Sequence, residues 1–382
     1  LRAEVIAACY GSDGLGYTLA RSHIDSCDFS LESYCADSAA TDAALERFSL
    51  KRPGKYIFPM LDDIVKACPD LRLLLSPWSP PEYMKDNAKR TGGGKLRPEF
   101  RERWAQYMCR YALEYRKRGY DVFAMSVQNE PNAVQTWESC IYTPEEERDF
   151  LRGFLAPELR RQGLGDVVLT IWDHNKERLF DRVDAICSES EANACVGAAG
   201  FHWYGGDHFD ALRLVRRKYP DKLLMFTEGC IEYSKGSHGA QTENAERYAR
   251  EILHGFNAGL NAFFDWNLLL DMSGGPNHKG NYCDAPIMAD AEQNLLKYNL
   301  SYSYIRHFSR YIRPGAVRIG TTCYDNDLGF CAALDPDGSI AAVALNTSAT
   351  GKKGFVRLHG ELAEAFFPPH SITTLLIGGE EA

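Results

Sequence analysis

The sequence predicts an α/β chain: a (β/α)8 (TIM) barrel over residues 1–313, followed by a small all-β sandwich domain over residues 314–382. Three observations carry this. Short apolar β-runs alternate with helical stretches up to Trp266, the pattern of parallel strands joined by right-handed crossovers. The β-runs end on polar or aromatic side chains, as barrel strands do at the rim that carries function. After Pro314 the helical stretches stop, and closely spaced β-runs with turn signals take over.

Taken in order, residues 1–9 have helical spacing and residues 11–16 form a glycine-rich turn. The β-runs are 17–24, 71–76, 123–127, 167–172, 197–204, 223–227 and 261–266. Helical stretches between them include 98–118, 145–162, 180–189, 209–218 and 243–258, the last opening with acidic Glu243 and Glu246 as a helix N-terminus prefers. A barrel needs eight strands, and the pattern starts inside the helix that should follow a first one, so that strand is expected upstream of Leu1. An open doubly wound sheet is disfavoured because no glycine-rich phosphate loop follows any β-run. Beyond Pro314 the runs 316–323, 329–334, 339–345, 354–358 and 372–377 are separated by turns such as Asp335-Pro336-Asp337-Gly338, where proline fixes φ and glycine permits a positive one. They read as an antiparallel β domain, its sandwich completed by residues upstream of Leu1.

Composition narrows the function classes. At 45% hydrophobic and 25% charged, with a net charge of −9, the chain is an ordinary globular one with no basic stripe for nucleic acid. No apolar run approaches the roughly 18 residues of a membrane span, so a soluble chain, cytoplasmic or secreted, is expected. The twelve cysteines include no C-x-x-C pair and no zinc-spaced cluster, and are expected to be reduced, buried thiols. His174 follows Asp173, but no second histidine lies at ligand spacing, and no metal or cofactor is expected.

Chemistry concentrates at strand ends. The run 123–127 stops on Gln128-Asn129-Glu130 before Pro131, which cannot extend a ladder. The run 223–227 stops on Thr227 and Glu228. The remaining strand-end positions hold Arg21, His23, Asp25 and Asp28, then Trp78, then Asp173, His174 and Asn175, then His202, Trp203 and Tyr204, and finally Asp265, Trp266 and Asn267. Carboxylates, amides and aromatic rings with few cations suit a sugar. Glycoside hydrolysis needs one carboxylic acid to protonate the leaving oxygen and one carboxylate to attack or to activate water. Glu130 and Glu228 are the natural pair; whether their spacing is that of a retaining or an inverting enzyme stays open. Taken singly, His202 reads as a structural histidine and Cys230 as buried packing.

With these residues in place, the chain resembles glycoside hydrolase family 30, the glucosylceramidase-like family, from about residue 14 to 318. The motifs are G-L-G-Y-T-L-A-R-S-H-I-D-S-C-D-F-S (14–30), S-P-W-S-P-P (76–81), Q-N-E-P (128–131), F-H-W-Y (201–204), F-T-E-G-C (226–230) and D-W-N-L-L-L-D…G-G-P-N-H…N-Y-C-D-A-P-I (265–287). The resemblance implies a barrel with a side β-sandwich and a retaining double displacement. Glu130 would be the acid/base, with a raised pKa, and Glu228 the ionised nucleophile. Asn129 would bind the sugar 2-hydroxyl. Arg21, Asp28, Trp78, Trp266 and Asn281 would line the terminal-sugar pocket, with His202 and Tyr204 beside the nucleophile. The implied substrate is a carbohydrate or glycolipid, glucosylceramide first, with β-1,6-glucan, β-xylosides or other β-glucosides as alternatives. A non-catalytic carbohydrate-binding protein is the reading from a different class. Ser22-His23 stands where animal glucosylceramidases tend to carry Val-Pro, and the loop 132–143 looks like that of bacterial members.

Overall fold

The structure, a computed structural model, describes residues 1–42, 44–235 and 239–378. Six strands come first: β1 (Leu19–Ile24), β2 (Arg72–Pro77), β3 (Asp121–Ser126), β4 (Val168–Asn175), β5 (Ala198–His202) and β6 (Leu223–Glu228). A two-residue rim strand, β7 (Ile231–Glu232), precedes β8 (Ala262–Phe263). All but β7 form one parallel sheet in the order β1-β2-β3-β4-β5-β6-β8, with β1 and β8 at its edges. Every β-run read between residues 17 and 266 overlaps one of its strands. The strands are near-continuous apolar runs because helices cover their outer face while their inner face fills the barrel.

Side-chain alternation along each strand turns this packing into a site. Leu73 and Leu75 of β2 face the helices, whereas Leu74 joins Ala124, Ala198 and Met225 in a separate apolar cluster, the floor of the barrel. One period further on, the same inward rows carry Arg21 after Leu19, Ser76 after Leu74, Ser126 after Ala124, and His202 two periods after Ala198. Gly200 sits between Ala198 and His202, where an added Cβ would lie 3.1 Å from both Thr170 and Thr227. The lumen is tight there, and a Cβ at this position would require Thr170 and Thr227 to give by a few tenths of an ångström.

The helix read at 145–162 is interrupted: Pro144–Phe150 is capped by a Thr143–Glu146 capping box, Leu151–Leu155 is a π turn, and Ala156–Arg161 resumes the α-helix. Helices Lys51–Tyr56, Phe58–Ala67 and Ser190–Cys195 fall between β-runs, where helix was expected but not delimited, and Leu300–Ser309 was not anticipated. Toward the C-terminus, Val317–Ile319, Leu328–Leu334, Ile340–Asn346 and Ser371–Ile377 form a four-stranded antiparallel sheet. Lys352–Leu358 and Glu361–Phe367 form a hairpin beside it. The strand Glu361–Phe367 escaped the sequence reading because its Glu-Leu-Ala-Glu-Ala stretch lacks the β-branched residues strands favour. Residues 379–382 of the expected second domain lie outside the described residues. All twelve cysteines are free, and Cys323 is exposed rather than buried. Among the described residues no helix is long and apolar enough to cross a membrane.

Candidate active site

The C-terminal ends of the sheet strands open onto a pocket of about 260 Å³. Eight of the ten residues singled out from the sequence line it: Asp28, Trp78, Asn129, Glu130, Tyr204, Glu228, Trp266 and Asn281. Arg21 and His202 do not. They lie behind the wall, His202 fully buried and the Arg21 side chain nearly so, and act through their neighbours.

Backbone geometry aims the acidic groups. Glu130 has φ 48, in the left-handed region that non-glycine residues seldom adopt. Its segment is held on both sides, Asn129 N–H donating to Pro77 O (2.9 Å) and Glu130 N–H to Asp173 O (2.9 Å). A register shift between Trp172 and His174, with Trp172 at φ 71 and Asp173 at φ 49, re-aims Asp173 into the lumen, as bulges beside active sites do. A second shift at Phe201/His202 brings His202 level with Glu228.

The side chains close into a circuit. Arg21 donates from Nη1 to Glu228 Oε2 (2.7 Å), and from Nη2 to Asn129 Oδ1 (2.7 Å) and Asp173 Oδ2 (3.0 Å). Ser76 Oγ accepts from Arg21 Nε (3.1 Å) and donates to Asp173 Oδ2 (3.0 Å). The His202 ring spans Asp173 Oδ1 (Nε2, 3.1 Å) and Glu130 Oε1 (Nδ1, 3.2 Å). Tyr204 donates to Glu228 Oε1 (3.1 Å). At the pocket's end, Asp28 Oδ2 accepts from Asn277 Nδ2 (3.1 Å) and Asn281 Nδ2 (3.3 Å). Trp78 and Trp266 stack at 5.2 Å, with the Arg21 guanidinium 4.8 Å from the Trp78 ring.

Charge follows from these contacts. Burial disfavours an imidazolium, but Glu228 and the two hydrogen-bonded carboxylates outweigh it and hold His202 up at about 9, so the ring donates to both Glu130 and Asp173. Asp173 is buried too, yet Arg21 and His202 hold it well below the usual carboxylate range. Burial raises Asp28 to about 7, with Glu228 adding to the rise. The pKa directions expected for the two glutamates are reversed. Burial alone would raise Glu130, but the His202 hydrogen bond and the charges of His174 and His202 lower it. Glu228 is raised, burial outweighing His202 and Arg21. The proton assigned to Glu130 from sequence rests on its neighbour His202.

Glu130, His202 and Glu228 each offer a ligand atom within 4.8 Å of the others, the one such grouping of three or more among the described residues. Arg21 and Tyr204 already occupy the Glu228 oxygens and Asp173 engages the far side of His202. Several lining residues were missing from the sequence reading: Gln135 and Trp137 on the loop after Glu130, and Glu232 and Lys235 after Glu228. Gln135 and Trp137 lie in a loop, Glu232 in the two-residue β7 and Lys235 in a single 3-10 turn, all too short for a periodicity that would mark an inward side chain. Asp173 and His174 stood at a readable strand end but had no assigned role. Other strand-end residues turn into the core. Asp25 accepts from Tyr107 (2.7 Å), Asp265 from Tyr248 (2.9 Å), and Trp203 is buried against Phe226 and Tyr248.

Comparison with known proteins gives the same picture. The model described as Glycosyl hydrolase family 30 TIM-barrel domain matches residues 2–312, and the Glycosyl hydrolase family 30 beta sandwich domain matches 315–375. The crystal structure of SrfJ from Salmonella typhimurium is similar at 38% identity and a TM-score of 0.96, covering 99% of this chain and 85% of that one. The endo-beta1,6-glucanase BT3312 is similar at 28% identity and a TM-score of 0.89, covering 99% and 86%. Lysosomal acid glucosylceramidase of Mus musculus is 28% identical over 361 residues, 90% of this chain and 70% of that protein. The chain spans from 65% to 78% of the length of the curated relatives it matches. By its motifs, its barrel and these matches over most of its length, the chain belongs to glycosyl hydrolase family 30.

Proposed function

We propose that this chain is a retaining β-glycoside hydrolase for a terminal β-glucoside, with Glu228 as nucleophile and Glu130 as acid/base. The supporting observation is their spacing: a carboxyl oxygen of one lies within 4.8 Å of one of the other. Retaining enzymes hold the pair about 5–5.5 Å apart, whereas inverting ones leave about 6.5–9.5 Å for a water. Arg21 and Tyr204 orient the Glu228 carboxylate for attack on the anomeric carbon. On sugar binding the His202 proton passes from Nδ1 to Glu130 Oε1, 3.2 Å away, and from Glu130 to the departing glycosidic oxygen. Glu130, now a carboxylate, then takes a proton from the water that releases the sugar from Glu228. Asp28, Asn281 and Asn129 accept and donate to the sugar hydroxyls, with the Trp78 and Trp266 rings against its C–H face.

Glucosylceramide is the first substrate to test. The relative named lysosomal acid glucosylceramidase aligns along 90% of this chain, and Leu31, Val134 and Tyr282 stand exposed on the loops that carry lining residues. A β-1,6-glucan is the second, favoured by Trp137 and Gln135 on the wall after Glu130, an aromatic face and an amide where the leaving group departs. The experiment is glucose release from NBD-labelled glucosylceramide, beside pustulan (a β-1,6-glucan) and nitrophenyl β-glucoside and β-xyloside, with Glu228→Gln as control. Lipid turnover that vanishes in the variant supports both substrate and nucleophile. Turnover of a glycan alone keeps the mechanism and moves the substrate. No turnover of any of them overturns the enzyme reading.

A further inference from the structure

Two thiols meet in the pocket wall. Cys230 lies two residues beyond Glu228, and Cys283 two beyond Asn281. β7 pairs antiparallel with Cys283–Asp284, and Cys283 faces Glu232 in that register. Cys230 therefore sits diagonally across from Cys283 on the same face, a position from which side chains reach one another. The sulfurs are 3.2 Å apart. Cys230 lines the pocket, whereas Cys283 is fully buried behind it. The Tyr204 hydroxyl touches both the Cys230 sulfur (3.3 Å) and Glu228 Oε1 (3.1 Å).

We propose that Cys230 and Cys283 are a covalent modification site, oxidised by a hydroperoxide that enters the pocket to a disulfide that lowers activity until a thiol reductant reopens it. The Cys230 sulfur attacks the distal peroxide oxygen and the O–O bond breaks. A sulfenic acid forms on Cys230, and the thiol proton leaves on the departing alkoxide or hydroxide. The Cys283 sulfur then attacks the sulfenic sulfur, the S–O bond breaks, and water departs with the second thiol proton. Two electrons pass from the two sulfurs to one hydroperoxide. A disulfide holds its sulfurs about 2.05 Å apart, so Cys230 is drawn toward Cys283 and away from Tyr204. The bond also ties the segment carrying Glu228 to the one carrying Asn281, and the nucleophile's tyrosine contact shifts.

The test treats the full chain with hydrogen peroxide, caps remaining thiols with N-ethylmaleimide, digests without reductant and maps peptides by mass spectrometry. The expected product is a Cys230–Cys283 linked pair lighter by two hydrogens than the separate thiol peptides. Its yield falls when an iminosugar occupies the pocket and returns to zero with dithiothreitol. In parallel kcat/KM falls about tenfold, the effect of weakening one hydrogen bond to a charged group, and dithiothreitol restores it. Cys283→Ser keeps its reduced-state activity and forms no linked pair; its Cys230 sulfenic acid, with no second thiol to resolve it, is carried by excess peroxide to a sulfinic acid that dithiothreitol does not reverse. Absence of the linked pair while other cysteines oxidise overturns the proposal, as does full linkage with unchanged kcat/KM. The mapping needs no catalytic activity, so it stands apart from the glycosidase reading, and it decides on the wild-type chain if Cys283→Ser does not fold.

Discussion

His202→Gln removes one positive charge and leaves the cavity nearly filled. His202 is fully buried between Glu130 (3.2 Å) and Asp173 (3.1 Å), and its pKa rises from 6.5 to about 9. One pKa unit is about 1.4 kcal/mol, so the folded site favours the imidazolium by roughly 3 kcal/mol. Because the folded pKa is raised, this contribution is fully present below about pH 6.5, shrinks as the pH rises toward 9, and is lost above it. Urea unfolding of wild type and variant should therefore differ by about 3 kcal/mol more at pH 6 than at pH 9.5. Activity follows the same proton. In the wild type the basic limb of kcat/KM on an alkyl β-glucoside, whose leaving group needs a proton, should fall near pH 9, where the Glu130–His202 pair loses its shared proton. Without the imidazolium, Glu130 holds its own proton, and the limb should move at least one unit toward acid. A stability gap independent of pH, with a basic limb that stays in place, would refute the assignment of the proton to His202.

Other perturbations test the same circuit. Arg21→Lys keeps the charge but loses the fork that serves Glu228, Asn129 and Asp173; kcat/KM should drop about a hundredfold, and near-wild-type kinetics would mean the circuit does not position the nucleophile. Glu130→Gln should lose about 10²–10⁴-fold on alkyl glucosides that need a proton on the leaving group, and much less on a nitrophenyl glucoside, with azide accelerating release of the glycosyl-enzyme. Burial raises Asp25 to about 6, and Asp28 and Asp265 to about 7. Raised carboxyl pKa values contribute stability at acid pH that is lost as the pH rises through them, so Tm should be higher at pH 5 than at pH 8; the opposite slope would contradict those burials. Lys176 and Glu251 form a buried pair, so Lys176→Met should cost about 3–5 kcal/mol by leaving Glu251 unpaired. Adding Glu251→Leu should recover much of that loss in thermal melts.

The strand ladder was legible because the signal is local. Apolar runs such as Leu73–Leu75 and Leu224–Phe226 state their own conformation, and the polar residue at the end of each run marks the rim. Glu130 and Glu228 were found in that way, as were Trp78, Tyr204 and Trp266. Helices of mixed composition, such as Lys51–Tyr56 with an internal Pro53-Gly54, carry no such periodic signal and were not delimited. The hairpin strand Glu361–Phe367 takes its conformation from pairing with Lys352–Leu358, a tertiary cause acting on residues without strand preference.

By itself the sequence determined which residues stand at the strand ends, and with them the carboxylates, amides and rings available for sugar chemistry. The tertiary structure alone decided how they meet. Arg21 and Glu228 are separated by 207 positions and Asp28 and Asn281 by 253, and only the tertiary fold brings each pair into hydrogen-bond contact. The bulge that re-aims Asp173, the withdrawal of Arg21 and His202 behind the wall, and the contact of Cys230 with Cys283 arise from register and packing between strands. Protonation was set at the same level. An isolated glutamate titrates near its ordinary value, and it is the buried imidazolium 3.2 Å from Glu130 that moves the proton off the residue to which the sequence assigned it.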